Sequence, residues 1–279
     1  PGHGRDTLLS ALPYVLKPSN FNGGSNDDND RNDNDDDSAA RNVTATTTAM
    51  KRPQPVHRLD RPVSGLVVVA KTKAATVHLS QQFEFRKARK TYVAIVNGCP
   101  QQYTTSQEDE VLSLSSAASE WSTIDHDLDG KSAITEWRVI RKVKSLHGKD
   151  GQLTLVELRP KTGRYHQLRR HMAWVCNSPL VGDTTYDEGT DSAMRLRGRG
   201  LFLCSNKIEL EHPYYNTPTG RKEWIAMGGG EGREIRHGEA ILWEDNETGT
   251  VMVKARTELP LKFESFLKHE NARANKFKE

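Results

Sequence analysis

Apolar residues along the chain repeat with two periods. At Thr7 to Leu16, Leu8, Leu9, Leu12 and Leu16 fall on one face of a short helix that Pro18 ends. Leu66 to Ala70 is a Val-rich run of strand length. Ala74 to Phe85 has helical spacing and leads into the basic run Arg86-Lys87-Ala88-Arg89-Lys90. Thr91 to Val96 reads as a strand closed by the turn signal Asn97-Gly98. Ala133 to Val143 and Leu153 to Leu158 alternate like paired strands, and Tyr165 to Val175 reads as a helix stopped by Asn-Ser-Pro at 177–179. Leu201 to Leu210 is a further strand, and Pro260 to Phe277 a charged helix. Strands outnumber helices and follow one another without crossover helices. The pattern predicts an α+β fold with a mixed, mostly antiparallel sheet and flanking helices.

Residues 20–50 interrupt this pattern with Asn, Asp, Gly and Ser, then Thr and Ala. Such a segment buries too little apolar surface to offset its ordering entropy and is expected to be a disordered acidic insertion. Residues 101–123 are expected as a surface loop, and 213–279 as a C-terminal extension ending in the charged helix. No repeat occurs at periods of 20–50 residues. The expected organisation is a single catalytic domain over 1–279.

Charge sharpens the picture. The chain carries +3, but Asp27 to Asp37 holds seven Asp and one Arg, a local −6, so the remainder carries +9. A basic body suits a polyanionic partner. Mean hydropathy is −0.73, and no apolar run approaches the roughly 18 residues of a membrane span. Cys99, Cys176 and Cys204 are far apart and odd in number, which fits neither a disulfide framework nor a zinc pattern and suits a reducing compartment. Cytoplasm, nucleus and organelle all stay open.

Three segments set charged residues beside structural punctuation. In Val56-His57-Arg58-Leu59-Asp60-Arg61-Pro62-Val63-Ser64-Gly65, one acid sits among cations that favour its ionised form; a surface ion pair in a turn reads equally well. In Lys90-Thr91-Tyr92-Val93-Ala94-Ile95-Val96, Tyr92 shares a strand face with Ala94 and Val96, as a core tyrosine also would. In Thr162-Gly163-Arg164-Tyr165-His166-Gln167-Leu168-Arg169-Arg170-His171, His166 and Arg169 stand three apart on one predicted helix face. An Arg-dense helix start binds phosphate or carboxylate, or is a solvated basic face. Pro179-Leu180-Val181-Gly182-Asp183 follows.

Together the segments resemble the RluA-type pseudouridine synthases. That family shows a His-Arg-Leu-Asp-x-x-(Thr/Val)-Ser-Gly-Leu loop, a Lys-x-Tyr-x-Ala-x-Val-x-Gly strand and a Gly-Arg-x-His-Gln-Leu-Arg helix leading to Pro-Leu-x-Gly-Asp. All three occur here in order, over residues 55–212. Gln-Leu-Arg-Arg-His and Gly182-Asp183-Thr184-Thr185-Tyr186 look most like the tRNA pseudouridine synthase C branch. The family's opening Asn-Lys-Pro-x-Gly strand is not found, so the expectation is either a truncation just before Pro1 or the loss of an edge of the sheet.

The resemblance implies an isomerase that converts uridine to pseudouridine in tRNA or rRNA, with the pseudouridine synthase catalytic fold, no cofactor, no metal and no membrane, acting as a monomer. Asp60 would be the catalytic carboxylate. Tyr92 would pack against the base and help remove the C5 proton. Arg169 would pair with Asp60 and orient it, Arg58 would fill the space left by a flipped nucleotide, and Leu180 would line the pocket. Arg61, Arg86, Lys87, Arg89, Lys90, Arg164, His166 and Arg170 would contact RNA, chiefly its phosphates. The alternative is a catalytically impaired RNA-binding relative.

Four further signals fail on context. Asp125-His126-Asp127-Leu128-Asp129-Gly130 with Glu136 fits a calcium-loop pattern but lacks flanking helices. Gly130-Lys131-Ser132 lacks the first Gly of a phosphate loop. His166 and His171 lack a third zinc ligand. Asn42 and Asn246 head glycosylation triplets with no sign of secretion.

Overall fold

The computed structural model describes residues 50, 52–100, 120–187, 198, 200–237 and 239–276. The helix expected at Thr7 to Leu16, the insertion at 20–49 and the loop residues 101–119 lie outside them.

The elements in order are β1 (Gln54–Pro55), β2 (Ser64–Gly65), β3 (Val69–Ala70), α1 (Lys73–Glu84), β4 (Arg89–Asn97), β5 (Ser122–Asp125), β6 (Ile134–Lys144) and β7 (Gln152–Pro160). There follow α2 (Gln167–Arg170), extended by a π-helical turn over His171–Val175, then β8 (Leu203–Glu211), α3 (Pro218–Ala226), β9 (Glu234–His237), β10 (Ala240–Glu244), β11 (Val251–Arg256) and α4 (Leu261–Lys276). One sheet runs β5-β6-β7-β4-β8-β11-β10-β9 with every neighbouring pair antiparallel; β2 joins β8 in parallel. The architecture is α+β with a mostly antiparallel sheet.

The central strands are apolar on both faces because both faces are covered. Side chains alternate along a strand, so Ala94 and Val96 of β4 join Val156, Leu158 and Leu203 in a core closed by Leu168, Met172 and Leu180. Val93 and Ile95 point the other way, with Leu153, Leu155 and Phe202, onto Phe263, Phe266 and Leu267 of α4. The charged C-terminal helix therefore buries an aromatic stripe. Its Glu270 is buried too, accepting a hydrogen bond of 2.5 Å from Ser145 Oγ.

Three sequence expectations are corrected. Leu66 to Ala70 is not one strand: only β3 falls in that run, and Leu66 and Val68 pack with residues of α1 and β8. The expected 101–123 loop ends in strand β5, which pairs with β6. The region 213–256 holds three strands that extend the same sheet. The calcium-like segment is the β5–β6 connection, and Glu136 lies within β6, paired with Lys161 at 2.9 Å.

Two backbone details aim the Asp60 and Tyr92 segments. The β4–β8 register shifts between Thr91 and Tyr92, a bulge that redirects the following side chain. Gly65, at φ +115°, lies against the Ser205 backbone, where a Cβ would overlap the carbonyl, and Leu66 N–H donates to the same carbonyl at 2.8 Å. Gly65→Ala is therefore expected to cost more than about 1 kcal/mol, read as a lowered unfolding midpoint. An unchanged midpoint would contradict this close approach.

Candidate active site

Asp60 opens a tight turn in which Val63 N–H donates to the Asp60 carbonyl at 2.9 Å. The turn is held from behind by His57, whose Nε2 accepts the Val68 N–H at 2.9 Å and whose ring stacks on Phe83 at 4.4 Å. This bond requires an unprotonated Nε2. Burial, then the Lys90 charge, hold His57 down to about 4, against a smaller opposing hydrogen bond with the Arg58 backbone. Lys90 is itself lowered by burial.

The Asp60 side chain remains 33% exposed, with Oδ2 3.8 Å from His166 Nε2. His166 is not on the helix: it precedes α2 in the left-handed region, φ 49°. There its Nδ1 lies 2.9 Å from the Tyr186 hydroxyl. Burial and then the Arg169 charge lower its affinity for a proton, with Asp60 and Asp183 pulling the other way.

The expected Arg169–Asp60 ion pair is replaced by another. Arg169 is buried and binds Asp183 through Nε and Nη2, each at 2.7 Å. Nη2 also donates to Thr185 Oγ1 at 3.0 Å, and Nη1 lies 3.0–3.2 Å from the His166 ring nitrogens. Asp183 Oδ1 further accepts the Thr185 and Tyr186 N–H groups at 3.0 and 3.2 Å. Asp183 wins because its carboxylate is fully buried and four donors converge on it. Arg169 thus reaches Asp60 only through His166 and through its field, which the Asp60 charge returns.

Tyr92 stands on the Ala94/Val96 face, half-buried against that core. Burial pushes its phenol up to about 12; the Ser205 hydroxyl opposes the rise and the Asp60 charge adds to it. Asp60, Tyr92, His166 and Arg169 are thus one electrostatic neighbourhood. Leu180 is fully buried, bridging to Val96 and packing with Met172.

Gln167 fixes the start of α2. Its Nε2 donates to Ile134 O and Thr135 Oγ1 at 2.9 and 3.0 Å, while its Oε1 accepts from Thr162 Oγ1 and Arg164 N–H. His171 is a core residue on Thr135 Oγ1 and the His126 carbonyl. Among the described residues, no three His, Cys, Asp or Glu side chains are grouped to hold a metal ion, and no helix is long and apolar enough to cross a membrane.

The expected RNA-facing cations divide. Arg58 and Arg61 are exposed beside Asp60, and Lys87 is exposed and paired with Glu211 at 3.3 Å. Arg86, Arg89 and Lys90 line a cavity of about 630 Å³ together with Arg159, Lys161 and Lys207, which sequence reading missed. Thr162 and Gly163 also line it, so it abuts the segment leading to His166; neither Asp60 nor Tyr92 is part of its wall. Arg164 Nε donates to the Ser132 carbonyl. Arg170 departs from expectation: it is 6% exposed and bidentate to Asp129 at 2.7–2.8 Å, so its guanidinium serves the fold. Sequence reading quoted Asp183, Thr185 and Tyr186 only as part of a motif, without a role, and passed over Ser205. The Gly182-Asp183-Thr184-Thr185-Tyr186 run, following an Arg-rich helix, was the available signal for the first three; Ser205 carried none.

The family model for RNA pseudouridylate synthase matches residues 12–174, more than half of the chain. The chain belongs to the RNA pseudouridylate synthase family and is an isomerase of that class. Its relatives include tRNA pseudouridine synthase C of Vibrio cholerae, 34% identical over 171 residues, covering 59% of this chain and 69% of the relative. They also include the dual-specificity RNA pseudouridine synthase RluA of Yersinia pestis, 38% identical over 167 residues, covering 58% and 73%. A solved structure, human RNA pseudouridylate synthase domain containing 4, is 18% identical with a TM-score of 0.47, covering 80% of this chain and 76% of that one.

Two predictions follow from the geometry. Asp183→Ala leaves the Arg169 guanidinium buried without its partner, and a loss of about 3–5 kcal/mol is expected in denaturant unfolding; an unchanged midpoint would show the pair to be dispensable. His57 makes stability fall with acid. Below the ordinary imidazole value of 6.5 the unfolded chain takes up a proton that the folded chain refuses until about 4. Stability is present in full above pH 6.5 and is lost as pH falls toward 4, by on the order of 2 kcal/mol after allowance for the ring's partial exposure. His57→Gln should flatten that slope in a pH series of unfolding midpoints.

Proposed function

We propose that this chain isomerises uridine to pseudouridine within a tRNA or an rRNA, with Asp60 as the catalytic carboxylate. The observation that carries this reading is the setting of Asp60: one carboxylate, partly open to solvent, within reach of His166 and in the fields of Tyr92 and Arg169. Both relatives above are named as RNA pseudouridine synthases, one for tRNA and one as dual-specificity.

The reaction breaks N1–C1′, turns the uracil, joins C5 to C1′ and moves the C5 proton off carbon, leaving N1 protonated. Asp60 either attacks C1′ or removes the 2′ proton to give a glycal; both need an ionised acid facing an extruded nucleotide. Tyr92 packs under the base. A phenol held protonated up to about 12 acts as a surface and a donor before it acts as a base. Arg169 and His166 are positioning residues: Asp183 fixes the guanidinium, the guanidinium fixes the imidazole, and the imidazole limits where the Asp60 carboxylate rests. Arg58 and Arg61 stand where the displaced nucleotide and its phosphates would pass, and the Arg86–Arg89–Lys90 cavity offers a path for flanking backbone. Flipping costs a few kcal/mol, which phosphate contacts offset.

Tritium release from RNA labelled at uridine C5 tests the reading. Asp60→Ala and Asp60→Asn should lower the rate by roughly a thousandfold or more while leaving the unfolding midpoint close to wild type. Release by Asp60→Ala at the wild-type rate would overturn the assignment of Asp60. RNA affinity should fall steeply with salt.

A further inference from the structure

Two aromatic side chains remain largely in water: Tyr165 is 70% exposed and Trp174 56%. Singly, exposed aromatics are ordinary. These two end a continuous row of rings. Tyr165 lies flat on His166, with centroids 3.8 Å apart and planes 21° from parallel. His166 meets Tyr186 edge-on at 5.6 Å, and Tyr186 meets Trp174 edge-on at 5.4 Å. Two guanidiniums brace the row: Arg169 is 4.9 Å from the Tyr186 ring and Arg170 is 4.8 Å from Trp174. Both are locked in their carboxylate pairs with Asp183 and Asp129, so the rings are held rather than loose. His166 joins the row to Asp60 at 3.8 Å. Tyr165 occupies the variable position of the Gly-Arg-x-His motif, and Trp174 lies beyond that motif.

We propose that the row Tyr165–His166–Tyr186–Trp174 is a stacking platform for unpaired nucleobases flanking the uridine on which Asp60 acts. The platform rests on the function proposed above. Its chemistry selects the occupant. Rigid aromatic faces accept the face of any base, and neighbouring cations favour a polyanion. A duplex keeps its bases stacked on each other and offers none to a protein ring. The platform therefore favours single-stranded or loop RNA around the target and rejects paired RNA, without reading sequence at the flanking positions.

The test compares the affinity of a short single-stranded RNA containing one uridine with that of the same strand annealed to its complement. Tyr165→Leu and Trp174→Leu keep an apolar side chain but remove the ring; Tyr165→Phe and Trp174→Phe keep a ring. Each Leu variant should weaken single-strand binding about tenfold and leave duplex binding unchanged, with the Phe variants close to wild type. The slope of log affinity against log salt should not move, because no phosphate contact is lost. Unfolding midpoints should stay at wild type, since both side chains are exposed. Leu variants that bind single strands like wild type, or that lose single strand and duplex alike, would overturn the platform while leaving the Asp60 reading intact. Asp60→Ala protein should still show the single-strand preference, so the platform is readable even if Asp60 proves idle. Wild-type protein that binds neither RNA would overturn the platform together with the proposed function.

Discussion

The buried pair of Arg169 and Asp183 is the constraint on which the site's geometry depends. Placing two charges out of water is costly, and such a pair holds only when every donor and acceptor is met. Here Asp183 takes two guanidinium bonds and two backbone N–H groups, while Arg169 has Thr185 and the His166 ring besides. The consequence is a fixed distance between the start of α2 and the turn at 183–186. His166 is squeezed between them into a left-handed conformation, with its ring turned toward Asp60. The ion pair thus works by rigidity, fixing where the groups around Asp60 stand.

The sheet supplies the other half of that position. Because β4 is buried on both faces, its side chains have no freedom to exchange faces, and the register shift at Thr91/Tyr92 commits Tyr92 to the Asp60 side. The Asp60 turn is then pinned to the same sheet by the pairing of β2 with β8, which only a glycine at 65 permits. Two anchors, the Gly65 contact and the His57 hydrogen bond, hold a loop with little regular structure of its own, and the Arg169 pair reaches it only through His166.

How much of this was legible follows from the range of each interaction. Strands β4, β6, β7 and β8 and helix α1 announce themselves because their burial is set by local alternation or helical spacing. The motif residues Asp60, Tyr92 and Arg169 were legible as a set, and they do share one neighbourhood. Their pairings were not, since Arg169 chooses between two carboxylates, 60 and 183, on burial, which is a property of the folded chain. The left-handed state of His166 is likewise a tertiary result in a stretch that reads as helix. Strands β9 to β11 are only four to six residues long, so their periodicity is too brief to register until β8 offers an edge. The Val-rich run at 66–70 misleads for the opposite reason: its hydrophobicity serves side-chain packing with α1, not a long ladder.

The cations sort by the same logic, and the sorting bears on how an anion would meet this surface. Arg169 and Arg170 are spent inside the fold, and Lys161 and Lys207 are paired with Glu136 and Glu209. Among the described residues, Arg58 and Arg61 beside Asp60 are exposed and make no ion pair, and Arg86 and Arg89 line the neighbouring cavity. A guanidinium already neutralised gains little from a phosphate, whereas one held only by water gains the full charge-assisted bond. The exposed Arg58 and Arg61 therefore have more to offer an anion than Arg169 or Arg170, which are already paired.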